Sequence, residues 1–185
     1  MYLVLKRPRT AAPIRAIWFA PLLAIALLAP VSATTIARLS LDDMVAASDT
    51  IVEGKVVGLR TYWQGRQILT EVSLNVTRTH KGAASSKLVF IQMGGRVETP
   101  FPVTMTVPGA PVESLGDEGF YFLEPRSPGE KMIVGLSLGR VLKGQDADGE
   151  FIMHDGKRLT AGEFADEIRR AIAGQVHRPD PGSRR

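Results

Sequence analysis

The chain has 185 residues, of which 44% are hydrophobic, 23% charged and 6% aromatic. This composition is typical of one globular domain and excludes a chain that is disordered throughout. The absence of cysteine excludes a disulfide scaffold, a thiolate metal site and a cysteine nucleophile. The net charge of +4 comes from residues 1–33, which hold four basic and no acidic residues, whereas the rest of the chain carries 19 of each sign.

The N-terminal segment has the pattern of a secretory signal peptide. The basic residues end at Arg15, an apolar run follows over residues 17–28, and Val31 and Ala33 are small enough for the signal-peptidase pockets. We expect cleavage after Ala33. Because no twin-arginine pair precedes the apolar run, the pattern indicates export by the Sec route to the periplasm or the exterior.

The alternative is an N-terminal membrane anchor. Residues 16–37 are uncharged, and at about 1.5 Å per helical residue they would cross a hydrocarbon layer of about 30 Å. Pro21 and Pro30 would interrupt such a helix, which favours cleavage and a mature protein without membrane contact.

Two helices are predicted from their capping residues. Ser40 and Asp43 form the pattern of a capping box before a helix over residues 41–47, and Thr160 and Glu163 form a second one. The second helix carries an apolar stripe (Phe164, Ile168 and Ile172) and is expected to end at a C-cap on Gly174. We expect one domain over residues 34–174 and a disordered tail over residues 175–185.

Between the helices the sequence predicts strands. Residues 50–59 are β-branched and apolar, with Gly54 and Gly58 as expected bends, and residues 68–77 alternate between apolar and polar. Further strands are expected at residues 88–93 (a central strand, apolar on both faces), 101–107, 120–123, 132–138 and 151–153. Val72, Leu74 and Val76 should share a core with Phe120 or Phe122.

Many short strands with paired glycines and only two short helices predict the all-β class. The expected architecture is a small antiparallel barrel or sandwich with flanking helices.

An ordered series of motifs resembles a family of uncharacterised bacterial exported proteins. The series covers residues 48–57 (SDTIVEGKVV), 71–76 (EVSLNV), 79–82 (THKG), 93–95 (MGG), 107–111 (VPGAP), 120–123 (FYFL) and 135–139 (GLSLG). The same order is distantly similar to the netrin-like barrel of tissue inhibitors of metalloproteinases, which is an OB-fold. The resemblance implies an OB-like barrel and a protein partner, with a secreted protease as one candidate class.

The similarity to those inhibitors also implies a role for the mature N-terminus. In the inhibitors an α-amino group coordinates zinc and a threonine side chain enters the specificity pocket. After cleavage this chain would begin with Thr34 and Thr35, but it lacks the cysteine and disulfides of the inhibitors. The simpler alternative is that residues 34–39 form a short linker before the first helix.

No set of residues predicts catalysis or metal binding. His80, His154 and His177 are not at zinc-ligand spacing, and we expect His80 and His177 at the surface and His154 beside a turn. The acidic residues 146–150 lack the third and distal ligands of an EF-hand loop and predict a hairpin turn. We therefore expect no enzyme activity, no metal and no cofactor.

The most conspicuous surface pattern is an aromatic and basic turn. Tyr62, Trp63 and Arg66, with Arg60, fall on one predicted hairpin. Such a cluster could stack on nucleic acid, but an exported, neutral domain favours a protein contact or a lid on the barrel end.

The sequence thus favours an exported, non-enzymatic interaction module with a protein partner. The alternatives are a structural envelope protein, an accessory of a secreted hydrolase, and an unrecognised hydrolase.

Overall fold

The structure is a computed structural model that describes residues 39–176. The predicted signal peptide with its site at Ala33, the predicted N-terminus at Thr34 and Thr35, and His177 in the tail lie outside the described residues. No helix within residues 39–176 is long and apolar enough to span a membrane.

The described chain consists of two helices and ten strands, in the order helix, strands, helix. The helices are α1 (Leu41–Ala47) and α2 (Ala161–Val176). The strands are β1 (Thr50–Gln64), β2 (Gln67–Lys81), β3 (Lys87–Met93), β4 (Gly95–Val97), β5 (Val103–Met105), β6 (Glu118–Ser127), β7 (Glu130–Ile133), β8 (Arg140–Asp146), β9 (Gly149–His154) and β10 (Lys157–Leu159). The predicted all-β class with two flanking helices is confirmed.

Eight strands form one antiparallel sheet in the order β10-β9-β8-β6-β1-β2-β3, with β7 also paired to β6, while β4 and β5 form a separate pair. The sheet curls so that β3 approaches β7. Among the described residues no hydrogen-bonded ladder joins these two strands, so the ladders form no closed barrel.

The curled sheet separates two cores, and β1 and β6 contribute to both. One core lies between the sheet and the two helices and contains Met44, Val45, Ile51, Phe120, Phe122, Val134, Val141, Ile152, Phe164, Ala165, Ile168 and Ala171. The other lies inside the curl and contains Val52, Val56, Val72, Leu74, Leu88, Phe90, Tyr121, Leu123 and Ile133. Consecutive residues of β6 therefore point to opposite faces, as the period of two in a strand requires.

This arrangement corrects the predicted core around Leu74. Val72 and Leu74 are fully buried together, and Val76 packs against the same core. Their partners from β6 are Tyr121 and Leu123, whereas Phe120 and Phe122 face the helices.

Several predicted elements differ in extent or position. Strand β3 is an edge strand and not a central one, because it pairs only with β2 and leaves Val89 45% exposed. The strand expected over residues 101–107 shrinks to β5, and the one expected over residues 132–138 ends at Ile133. Helix α2 continues past Gly174, so the predicted C-cap there is wrong.

Both predicted capping boxes are confirmed. The Ser40 and Asp43 side chains bond reciprocally to each other's backbone N–H groups, and Thr160 and Glu163 repeat the arrangement at α2. The bends predicted near Gly54 and Gly58 coincide with shifts in the register between β1 and β2.

Candidate interaction site

The site is built around the far half of the β1–β2 hairpin. The hairpin is closed by the two-residue turn Gly65-Arg66 between the paired residues Gln64 and Gln67. Gly65 has a φ of 62° and Arg66 has no positive φ, which is the pattern of a type II′ turn. Such a turn fits the twist of the strands and fixes their register.

One edge of β1 is unpaired over the second half of the strand. Strand β6 pairs with β1 only from Thr50 to Lys55, and the last backbone bond on that side runs from Gly116 N–H to the Val56 carbonyl at 2.9 Å. From residue 57 to residue 64, no described backbone group pairs with this side of β1. We call this segment the β1 edge.

The turn decides which residues face the β1 edge. In a two-residue hairpin the closing pair is hydrogen-bonded, and the pairs alternate from there. Gln64 and Gln67 are the hydrogen-bonded pair that closes the turn. Because bonded pairs recur at every second residue, the backbone groups of Tyr62 and Arg60 also bond to β2. The N–H and C=O groups of Leu59, Thr61 and Trp63 therefore point to the open side.

A cleft of about 520 Å³ follows this edge, between β1 and the segment from β4 to the next turn. It is lined by Leu59, Thr61, Tyr62, Trp63, Arg96, Val97, Glu98 and Thr99. Because side chains alternate along a strand, a cleft that touches Thr61, Tyr62 and Trp63 in succession runs along the strand's edge. We call it the edge cleft.

Glycine allows β4 to form the opposite wall. Gly95 has a φ of 132°, and a Cβ there would lie 2.8 Å from Thr61 Cγ2 and collide with Thr70 Oγ1. Thr70 Oγ1 also donates to the Gly94 carbonyl at 2.8 Å. The backbone of β4 is thereby held against the threonine pair of the hairpin.

A second cleft of about 310 Å³ lies on the other side of β4, next to the loop before β6. We call it the end cleft, and its lining includes Leu59, Thr70, Gln92, Met105 and Glu113. Leu59, Thr61 and Arg96 line both clefts, so the two clefts adjoin across β4.

The wall of the end cleft contains a buried ion pair. The Glu113 side chain is fully buried, and Arg140 Nη1 lies 3.0 Å from Glu113 Oε2. Burial raises the pKa of Glu113, and Arg140 opposes this shift. Burial likewise raises the pKa of the Tyr121 hydroxyl, with the Glu113 charge adding to the effect. Glu113 Oε1 and the Tyr121 hydroxyl have no hydrogen-bond partner.

Exposed apolar side chains surround these clefts. Leu59 is 38% exposed, Trp63 43% and Val112 81%, and each lines a cleft. Phe101, in the turn between β4 and β5, is 72% exposed. Scattered exposed apolar residues need no explanation, but several around adjoining clefts indicate a contact surface.

Charges near the β1 edge are only partly paired. Arg60 Nη2 lies 2.6 Å from Glu71 Oε2, yet the Arg60 side chain remains 69% exposed. Its guanidinium carbon also lies 5.2 Å from the centre of the Tyr62 ring. Arg66 is exposed in the turn. The structure thus brings Tyr62 and Trp63 to one cleft and leaves Arg66 beyond its end.

The walls of the two clefts beyond the hairpin are not predicted from the sequence. Gln92, Arg96 and Val97 lie 26 to 31 residues after Arg66 in the turn of the hairpin, and no motif links them to it. The paired glycines Gly94 and Gly95 were the only signal of a close backbone approach.

His80 is less exposed than predicted, whereas His154 lies beside a turn as predicted. The sequence predicts His80 at the surface, but its side chain is 8% exposed, with Nε2 3.9 Å from Glu53 Oε2. Burial lowers the pKa of His80. His154 precedes the predicted turn, and its side chain is 13% exposed.

Charged residues close to His80 form a structural network. Lys143 Nζ lies 3.0 Å from Glu53 Oε1 and 2.7 Å from Glu118 Oε1. The predicted hairpin turn over residues 146–150 is confirmed, and Arg158 binds the Asp146 carboxylate there. Within residues 39–176, no group of three or more histidine or acidic side chains could hold a metal ion.

No family model matches the chain, and the comparison with curated proteins found no significantly similar sequence. A function must therefore be inferred from the geometry of this surface.

Proposed function

We propose that the domain is an exported, non-enzymatic interaction module that contacts a protein partner along the β1 edge and its clefts. The observation that carries the proposal is the unpaired edge over residues 57–64, flanked by the exposed side chains of Leu59 and Trp63. Unpaired backbone groups beside exposed apolar side chains are what strand-adding protein contacts use.

The chemistry of the clefts supports a binding role. Aromatic residues and arginine are enriched at protein interfaces, and the edge cleft presents Tyr62, Trp63 and Arg96. A secreted protease is the partner class that the netrin-like resemblance implies, and it remains part of the proposal.

Capture from the native cell envelope tests the proposal. The full chain with a C-terminal tag should retain a specific partner, and Trp63→Ala should reduce the amount captured by roughly tenfold, as for an interface hot spot. Met153→Ala is the matched control, because Met153 is 54% exposed on β9. If the wild type retains no protein, or both variants lose it equally, the proposal is wrong.

A separate assay tests the protease as partner. The mature protein is mixed with secreted metalloproteases of the source organism, and peptide cleavage is followed. Inhibition lost when a residue is added before Thr34 would place the contact at the N-terminus. Inhibition lost only with Trp63→Ala would place it at the β1 edge, and no inhibition would remove the protease from the proposal.

A further inference from the structure

The β1 edge lacks two of the residue types that protect strand edges from pairing. Proline, lysine and inward-pointing charges commonly block such edges. Residues 57–64 (VGLRTYWQ) contain neither proline nor lysine. The only irregularity is the register shift between Val56 and Gly58, at the start of the segment. The six residues after it form a regular strand that is open on one side.

The sequence of this edge is complementary to itself about Thr61. If two copies align antiparallel with Thr61 opposite Thr61, Leu59 of each faces Trp63 of the other, and Arg60 faces Tyr62. Apolar side chains then meet across the axis on one face of the sheet. On the other face, each arginine meets an aromatic ring.

Backbone geometry favours the same register. Leu59, Thr61 and Trp63 direct their free N–H and C=O groups outward, so hydrogen bonds can form about a two-fold axis at one of these residues or at Arg60 or Tyr62 between them. An axis at Arg60 would place two arginines directly opposite each other, and an axis at Tyr62 would bring Leu59 opposite Gly65 in the turn. An axis at Leu59 would bring the partner against the end of β6, and an axis at Trp63 would pair the strand with the turn. An axis at Thr61 uses the whole regular segment and places no like charges opposite each other.

The single chain already shows parts of this arrangement. The Arg60 guanidinium lies over the Tyr62 ring of its own strand at 5.2 Å, and the Arg60 side chain is largely exposed. Trp63 is 43% exposed and Leu59 38%. The edge cleft is an open space of about 520 Å³ alongside this part of β1.

We propose that a second copy of this chain pairs with the β1 edge, β1 against β1 about a two-fold axis at Thr61, so that one sheet continues through the dimer. Such an isologous contact is the commonest form of protein self-association. The inference rests on the proposed function in taking the β1 edge as the contact surface, and it names the partner.

Light scattering and sedimentation of the purified mature chain test the association. We expect a dimer that Trp63→Lys weakens by roughly tenfold or more, because two charges would enter the apolar pairs. The thermal transition of the monomeric variant shows whether it is folded. Val89→Lys, at an exposed position of β3, should leave the dimer intact.

Cysteine cross-linking tests the register. The chain has no cysteine, so Thr61→Cys introduces one thiol per copy. A hydrogen-bonded antiparallel pair has Cα atoms about 5.5 Å apart, within disulfide range. Mild oxidation should therefore yield a covalent dimer, whereas Val89→Cys should remain a monomer on denaturing gels.

The outcomes separate this inference from the proposed function. A monomer at every concentration, a dimer unaffected by Trp63→Lys, or a dimer without the Thr61→Cys cross-link would overturn the inference. A monomer that still captures another protein through Trp63 would leave the proposed function standing. A dimer that captures no other protein would support the inference alone.

Discussion

The Glu113 carboxyl group is the most completely buried acidic group described, and Arg140 is its ion-pair partner. Removing one member of a buried ion pair leaves the other charge buried without a partner, which costs about 3–5 kcal/mol. We expect Arg140→Met to lower the free energy of unfolding at neutral pH by about that amount. Glu113→Gln should cost less, because Arg140 is 19% exposed and can be solvated.

Denaturant titrations of the two variants check this asymmetry. Equal losses would mean that the carboxyl group is already neutral in the folded protein.

Leu74 shows the effect of a single apolar side chain. It is fully buried in the core inside the curl, so Leu74→Ala should destabilise the domain by about 2–5 kcal/mol. Val89 on the adjacent strand is 45% exposed, and Val89→Ala should change stability by less than about 0.5 kcal/mol. Similar effects of the two variants in thermal unfolding would contradict the core assignment.

Among the elements, α2 is the one whose start depends most visibly on a cap. The Thr160 hydroxyl accepts a bond from Glu163 N–H at 3.2 Å, and Glu163 Oε2 accepts from Thr160 N–H at 2.7 Å. Thr160→Ala should cost about 1 kcal/mol, measured by chemical denaturation. Thr79→Ala, at an exposed strand position, is the control and should have little effect.

Local signals explain which elements could be predicted. The capping boxes and the alternation of residues 68–77 depend on neighbours in the chain, and both predictions are confirmed. Shifts in the register of β1 lie where bends are predicted near Gly54 and Gly58. Strand position within the sheet depends on pairing between distant segments. The apolar run of β3 therefore predicts a central strand, although β3 lies at the edge and β6 has the central position.

The candidate site was likewise predictable only where it depends on neighbouring residues in the chain. Tyr62 and Trp63 were singled out because aromatic residues at a turn are visible in the sequence. The free edge beside them was not, because it exists only where β6 stops pairing at Lys55. The wall formed by β4 likewise depends on a tertiary approach.

For the whole molecule, buried ionisable groups predict how stability changes with pH. Burial lowers the pKa of His80 below its ordinary value of 6.5, although Glu53 opposes the shift, and Arg78 and Arg169 add to it. The unfolded chain then binds a proton more readily than the folded one, so stability falls as the pH drops below 6.5. Glu113 acts in the opposite direction, because its pKa is raised from 4.5.

We therefore expect His80 to make the unfolding free energy lower near about pH 5.5 than near about pH 7.5. His80→Gln should reduce that difference. If the variant and the wild type show the same pH dependence by denaturant titration, His80 does not cause it.

Strand β6 supplies side chains to both cores, and this has a consequence for the order of folding. It begins at Glu118, after the first five strands of the chain, and it must pair with the start of β1 at Thr50. Bringing β6 to the start of β1 closes a long loop, and the loss of chain entropy precedes the favourable contacts between the two strands. Folds rich in contacts between distant segments form slowly. A chain that has emerged only as far as β5 lacks the β6 side chains of both cores, so neither core can form before β6 is available. The core under the helices must also wait for α2, which supplies Phe164 and Ile168.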